Sequence, residues 1–300
     1  MNKLLPIVLL ITSTFLMGSS FVVGKWGLQY FSPLILTAYR FLIGGGLLLV
    51  VVLMKHKLPP FSLLWKAALI GALQTAGVMA CIFTALKYIS AGESSILTFT
   101  NPLMVLVLSS LLLKQSYHWR QWLGVLIGFA GVVIVLNGNM AINRGTWIGL
   151  ASAVFWSFAT LLVKVWGPRF NMWMLSALQM IFGGIILLIL AFSFETIKTV
   201  WNPESLFDLL WLAVLGSTVQ FTLWFMLLSR MDPSKASSYL FLAPVFGILT
   251  GVILLGEPLN ATIVIGGISV FAGIFLANYR SSDSSFIVQK KKPEKNPIGL

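Results

Sequence analysis

The chain is built around ten long runs of mostly apolar residues, near 5–25, 33–54, 66–87, 91–113, 120–137, 147–166, 173–194, 208–229, 235–256 and 260–279. About twenty such residues in a helix cross the roughly 30 Å hydrocarbon core of a bilayer. No other feature narrows the fold so far. Inside hydrocarbon every backbone N–H and C=O needs a partner within the protein, which leaves helices or a closed barrel. Barrel strands would alternate over about ten residues, whereas these runs are continuous, so they read as helices. Turn-forming clusters separate them: Ser32-Pro33, Leu58-Pro59-Pro60, Asn137-Gly138-Asn139, Gly167-Pro168, Asn202-Pro203, Asp232-Pro233 and Glu257-Pro258. The first run follows Met1-Asn2-Lys3, but it is too long for a signal peptide. It also meets no small-x-small cleavage site before Lys25, so it is expected to be a span of the mature chain.

Composition agrees. Apolar residues make up 58% and charged residues 9% of the 300, with a mean hydropathy of +0.94, whereas soluble domains are about half apolar and a quarter charged. The net charge of +12 would suggest nucleic acid in a soluble protein; in a membrane protein it first concerns orientation. One cysteine, Cys81, rules out an internal disulfide, and no Cys/His spacing suits a metal.

The chain also repeats itself. Gly44-Gly45 after Arg40 correspond to Gly183-Gly184 after Gln179, and Lys25 to Lys164, at an offset of 139. Ser95, Pro102, Gly124 and Gly131 correspond to Ser237, Pro244, Gly266 and Gly273, at an offset of 142. The expected fold is therefore an all-α polytopic membrane protein of ten transmembrane helices in two five-helix repeats, 1–140 and 141–280. A polar, disordered cytoplasmic tail at 281–300 carries Lys290-Lys291-Lys292 and Lys295. Five is odd, so the second repeat enters the membrane inverted. Inverted repeats suit alternating access, because exchanging their two conformations exchanges which side is open.

Basic residues set the orientation. With the N-terminus inside, fifteen of the twenty Lys and Arg fall on inner segments, four on outer ones, and Arg40 lies within a span. The bias puts both termini in the cytoplasm.

Arg40 is the sharpest candidate for chemistry, about seven residues and so roughly 10 Å below the outer surface. A guanidinium at that depth needs a partner or lines a cavity. Three roles are open: contact with a substrate carboxylate, snorkelling to the interface, or an ion pair with Glu93. Glu93 could instead couple transport to a proton, or simply favour a helix N-terminus. Glu257 is expected to fix its own outer loop. Gln74, Asn101, Trp156 and Gln220 lie near the midplane, where they form either a pocket or interhelical hydrogen bonds. Pro102 and Pro244 are candidates to break spans four and nine. Gly124 with Gly128, and Ser269 with Gly273, suit helix contacts, inside a monomer or in a homodimer. His56 and His118 fall in inner loops without acidic neighbours. The absence of paired carboxylates, a nucleotide-binding glycine loop and a nucleophile–base set argues against an ATP-driven pump and an embedded enzyme. No cofactor and no metal is expected.

Several motifs, in order, resemble the drug/metabolite transporter superfamily in its EamA-type branch. They are Gly18-Ser19-Ser20-Phe21, Pro33 with Tyr39-Arg40-Phe41, Asn101-Pro102, Leu254-Leu255-Gly256-Glu257-Pro258-Leu259, and the paired glycines of spans five and ten. The resemblance covers about residues 5–280. Met17 departs from the family's usual Trp, and Gln115 from the Glu expected at the end of span four. The resemblance implies a secondary carrier whose spans one to four and six to nine enclose a cavity, with five and ten peripheral. The expectation is an inner-membrane carrier of a small organic metabolite, an amino acid or related solute, working outward by alternating access. Its partners are that solute and the lipid bilayer, with no nucleic acid. The alternatives are an uncoupled facilitator or channel and, behind it, a membrane-embedded enzyme.

Overall fold

Pro33 at the first turn of one helix, and asparagines at the N-caps of several others, show why the apolar runs begin where they do. The computed structural model describes residues 4–114, 116–137, 143–228, 240 and 242–278. Its ten apolar helices are α1 (Leu4–Gly27), α2 (Pro33–Leu53), α3 (Phe61–Ile70, continuing through Gly71–Gly77 to Val78–Ala85), α4 (Ala91–Thr98 and Asn101–Leu113) and α5 (Trp119–Asn137). They continue with α6 (Arg144–Trp166), α7 (Met172–Phe194), α8 (Pro203–Leu210, Trp211–Val219 and Gln220–Leu228), α9 (Leu242–Leu255) and α10 (Ala261–Asn278). Seven of the ten are long and apolar enough to cross a membrane; α5, α9 and α10 are shorter apolar helices.

The starts have local causes. The Asn143, Asn171 and Asn202 side chains accept backbone N–H groups of the first turns of α6, α7 and α8, and Ser90 does the same for α4. Two helices begin five residues earlier than hydropathy suggests. Pro60 stands at the N-cap of α3 and Pro203 inside the first turn of α8, where a missing N–H costs nothing. Both helices pass through a π-turn, Gly71–Gly77 in α3 and Trp211–Val219 in α8, which the apolar pattern does not reveal. In α4 the helix breaks at Phe99 and Thr100, and Pro102 sits in the first turn of the second half. Pro244 lies in the first turn of α9; the start expected at 235, the Asp232-Pro233 turn, Gln115, Ser237 and the 281–300 tail fall outside the described residues.

Helix α2 packs on α7 and α8, α3 on α6 and α7, α1 on α8 and α9, α4 on α6 and α9, and α5 on α10. The small residues of the last pair meet inside the chain: a Cβ on Gly131 would lie 2.7 Å from the Gly266 carbonyl, and one on Gly273 2.6 Å from the Gly124 carbonyl. The loops after α1, α3, α5, α7 and α9 share one face. Ser32 N–H donates to the Lys198 carbonyl (3.0 Å) and Val200 N–H to that of Tyr30 (2.9 Å). Asn143 Nδ2 donates to the Tyr88 carbonyl (3.4 Å). On the opposite face, His56 of the α2–α3 loop lies beside Asn171 of the α6–α7 loop, and the Trp65 and Trp166 rings meet edge to face.

Candidate functional site

A cavity of about 400 Å³ lies between the helices, lined from α1, α2, α3, α4, α6, α7 and α8 together with Leu240. Among the described residues, none of α5 or α10 contributes to its wall. The volume falls within the range of about 300–1,000 Å³ usual for small-molecule sites. Of the residues singled out from the sequence, Arg40, Gln74, Trp156 and Gln220 all line it.

Arg40 owes its setting to the α2–α8 contact. Gly44, one turn further along α2, lets the helices approach so closely that a Cβ there would stand 2.6 Å from the Ala213 carbonyl. The π-turn of α8 widens the helix at this level, and Ser217 Oγ and Thr218 Oγ1 reach back five residues to the Leu212 and Ala213 carbonyls. Arg40 Nε donates to Ser217 Oγ (2.9 Å) and Nη2 to the Gly216 carbonyl (2.7 Å). Its guanidinium stands over the Phe41 ring, 5.0 Å from the centroid, and the residue is only 5% exposed. The ion pair with Glu93 does not form, and neither does snorkelling. The neutral groups of α8 hold the guanidinium inside the bundle.

Gln74 stands in the π-turn of α3, and Gln220 opens the last segment of α8 immediately after its own π-turn. Trp156 packs edge to face on Phe99, centroids 5.4 Å apart, at the break in α4. Asn101 is brought to the same break but not to the cavity wall; its carbonyl accepts Ser157 Oγ of α6 (3.1 Å). Residue type and depth could not separate it from the other three. Gln179 of α7 also lines the cavity. It is the repeat counterpart of Arg40, and that correspondence was the signal that could have singled it out. Met17, in place of an aromatic residue, forms part of the wall from α1, with Phe21 one turn on.

Glu93 is fully buried and does not line the cavity. Ser90 caps its backbone N–H, while neither carboxylate oxygen has a hydrogen-bond partner among the described residues. Glu257 does more than fix its own loop. Its carboxylate accepts Lys25 Nζ (2.7 Å) from the end of α1, Ala91 N–H (2.8 Å) and Gly92 N–H (3.3 Å), the last two at the start of α4. A carboxylate at a helix N-terminus faces orphan donors and the positive end of the dipole. Glu195 repeats the device at α2, where Oε2 accepts Leu34 N–H (3.0 Å). Beside it Phe31 packs on Trp201 (5.2 Å between centroids) and Tyr39 stacks on the same ring (6.0 Å). These contacts tie together the face that carries the loops after α1, α3, α7 and α9. Toward the other face the cavity wall extends to Val163, Met172 and Trp224, near the ends of α6, α7 and α8.

A model of the EamA-like transporter family matches residues 4–137 and again 143–279. The chain is 31% identical over 271 residues to the uncharacterized transporter YvbV of Bacillus subtilis (strain 168), a match covering 88% of each chain. It is 30% identical over 268 residues to the uncharacterized inner membrane transporter YedA of Escherichia coli (strain K12), covering 86% of each. Protein PecM of Dickeya dadantii (strain 3937) is 27% identical over 281 residues, covering 89% of this chain and 92% of PecM. One solved crystal structure shares the fold with a TM-score of 0.65 at 21% identity, covering 91% of this chain and 96% of its own.

Proposed function

The chain belongs to the EamA-like transporter family and is a multi-pass membrane transporter, not an enzyme; we propose that it is a secondary carrier moving a small organic metabolite, of amino-acid size, out of the cell by alternating access. The observation that carries this reading is a cavity holding a buried guanidinium, with one face tied shut beyond it by Lys25–Glu257 and its neighbours.

Two inverted repeats, 1–140 and 141–280, are part of the proposal. In support, the helix pairings map onto themselves when each helix is exchanged for the one five places away: α1 with α8 becomes α6 with α3, α1 with α9 becomes α6 with α4, and α2 with α7 returns itself. The family model also fits the two halves in turn. Both termini are assigned to the cytoplasm of an inner membrane. The basic-residue bias supports this, as does the gathering of the loops after α1, α3, α5, α7 and α9 on one face. The tied face is then the outer one. The cavity extends toward the cytoplasm, the side from which an exporter loads.

Within this scheme Arg40 anchors the solute, and Gln74, Trp156, Gln179 and Gln220 complete its site. Asn101 and Pro102 break α4 beside the cavity, the construction expected of a transporter helix at a binding site. Glu93, buried away from the wall, is left out of the solute path. An uncoupled facilitator is the rival reading, favoured by the lack of any carboxylate on the wall among the described residues. Arg40→Ala tests the anchor: it is expected to insert in the membrane normally and lose transport, whereas full activity would refute the assignment.

A further inference from the structure

Among the described residues the wall of the cavity holds one formal charge and no countercharge. Arg40 is the only ionised residue on its described wall, and none of Glu93, Glu195, Glu204, Asp208 and Glu257, the acidic residues within the described structure, reaches that wall. Two of the five guanidinium N–H groups donate to neutral acceptors, one from Nε to Ser217 Oγ and one from Nη2 to the Gly216 carbonyl. Nη1 has no acceptor among the described residues. A buried cation held by neutral groups alone is incompletely compensated, and an anion beside it restores what desolvation removed.

The remaining wall decides what that anion is attached to. Apolar side chains predominate: Phe21, Phe83, Phe99, Trp156, Phe221 and Trp224 come from five different helical segments, and aliphatic and Met side chains fill the wall between them. The polar remainder consists of amides and hydroxyls, which hydrogen-bond without charge. An ammonium in this space would find no carboxylate among the described residues and would face a guanidinium of the same sign. One guanidinium charge balances one negative charge, and a doubly charged phosphate would leave its second charge uncompensated on the described wall.

Resting on the carrier reading, we propose that the transported solute is an organic monoanion: a carboxylate on an aromatic or otherwise apolar body, with no cationic group. Zwitterionic amino acids and cationic amphiphiles are then the disfavoured classes. The proposal has a bioenergetic consequence. Each outward passage moves one negative charge, so an inside-negative membrane potential drives export without a coupled ion. A wall without a proton-carrying carboxylate is the arrangement such a carrier would have. The face that carries the α2–α3 and α6–α7 loops contributes in the same sense, since Lys66 lies there between the Trp65 and Trp166 rings, 5.5 Å from each centroid, and raises the local concentration of anions.

The test uses four probes with one ring and different charge: phenylpropionate, phenylalanine, phenethylamine and phenylpropionamide. Binding to the purified full-length chain is read from tryptophan fluorescence, since Trp156 and Trp224 line the cavity, and from thermal stabilisation. Phenylpropionate is expected to bind at least roughly tenfold more tightly than each of the others. Arg40→Gln should abolish that preference, bringing phenylpropionate level with the neutral amide, and Arg40→Lys should retain it. In proteoliposomes an inside-positive potential should accelerate entry of labelled phenylpropionate. Tighter binding of the zwitterion, the amine or the amide, a preference that survives Arg40→Gln, or no binding of any probe would each overturn the proposal. Failure of the carrier reading is separate, and shows as absence of accelerated exchange whichever probe binds.

Discussion

Replacing Glu257 by glutamine should open the outer face of this transporter. The substitution keeps the shape of the side chain and one acceptor, but removes the charge that Lys25 and the start of α4 share. The lost pair is short, at 2.7 Å, with the lysine side chain 32% and the glutamate side chain 11% exposed. Bare Coulomb attraction at such a distance would be several kcal/mol at an effective dielectric of about 20. Exposure of the lysine screens it, and a half-exposed pair contributes about 1 kcal/mol. The bonds from Ala91 N–H (2.8 Å) and Gly92 N–H (3.3 Å) lose their ionic character and their benefit from the helix dipole, which adds about 1–2 kcal/mol. In the open state water solvates all these groups, so the change acts on the closed state alone. The sum, about 2–3 kcal/mol, moves the open-to-closed ratio by about 30- to 150-fold. Ser20 lines the cavity, and cysteine there differs little in size. In a Cys81→Ala background, which removes the chain's only native cysteine, the Ser20→Cys thiol should react with an externally added, membrane-impermeant maleimide. Glu257→Gln is expected to raise that rate by about one to two orders of magnitude, and Lys25→Met by less, because Glu257 then still caps α4. An unchanged labelling rate in Glu257→Gln would refute both the gate and the energetics assigned to it.

Three further substitutions test the α2–α8 contact and the role of Glu93. Gly44→Val should cost about 1–3 kcal/mol by overpacking and reduce transport, because its Cβ would lie 2.6 Å from the Ala213 carbonyl and 3.1 Å from Ser217 Cβ. Gly46→Val, where an added Cβ meets nothing within 4 Å, is the matched control and should behave as wild type; equal thermal stability and transport for the two variants would contradict the helix contact. Glu93→Gln should leave stability within about 1 kcal/mol, since neither oxygen has a bond to lose. It should also leave transport and its pH profile unchanged, and loss of transport with normal membrane insertion would return Glu93 to a coupling role.

The helices were legible because each depends on its own stretch of sequence: a run of apolar residues, a proline it can tolerate at its start, an asparagine at its cap. The matching of Gly131 with Gly266 and of Gly124 with Gly273 was legible in kind, since small residues at helical spacing require a close neighbour, although the sequence left open whether that neighbour was a second copy. The two π-turns were not legible. The turn of α8 is held by tertiary partners, Arg40 on the Gly216 carbonyl and Thr218 Oγ1 on the Gly44 carbonyl, and no local pattern encodes a bond to a residue some 170 places away. The same limit explains Asn101 and Glu93. Depth in the membrane follows from counting residues along a helix, but whether a side chain points at a cavity or a neighbour depends on rotation, which packing decides. Lys25 and Glu257 each looked like an ordinary loop residue until the ends of α1, α4 and α9 were brought together.

The central claim is that this chain carries its solute by alternating access, and counterflow measures that most directly. Purified protein is reconstituted in proteoliposomes preloaded with the compound that stabilises it most in a thermal screen, and uptake of the same compound, labelled, is followed from a dilute outside solution. A carrier shows a transient accumulation of label above the outside concentration, because the excess unlabelled solute inside occupies the inward-facing sites and holds back the exit of label, and its uptake is faster wherever the loaded site returns faster than the empty one. Label that enters at the same rate with and without internal solute, and never exceeds the outside concentration, would show a facilitator or channel and contradict the account.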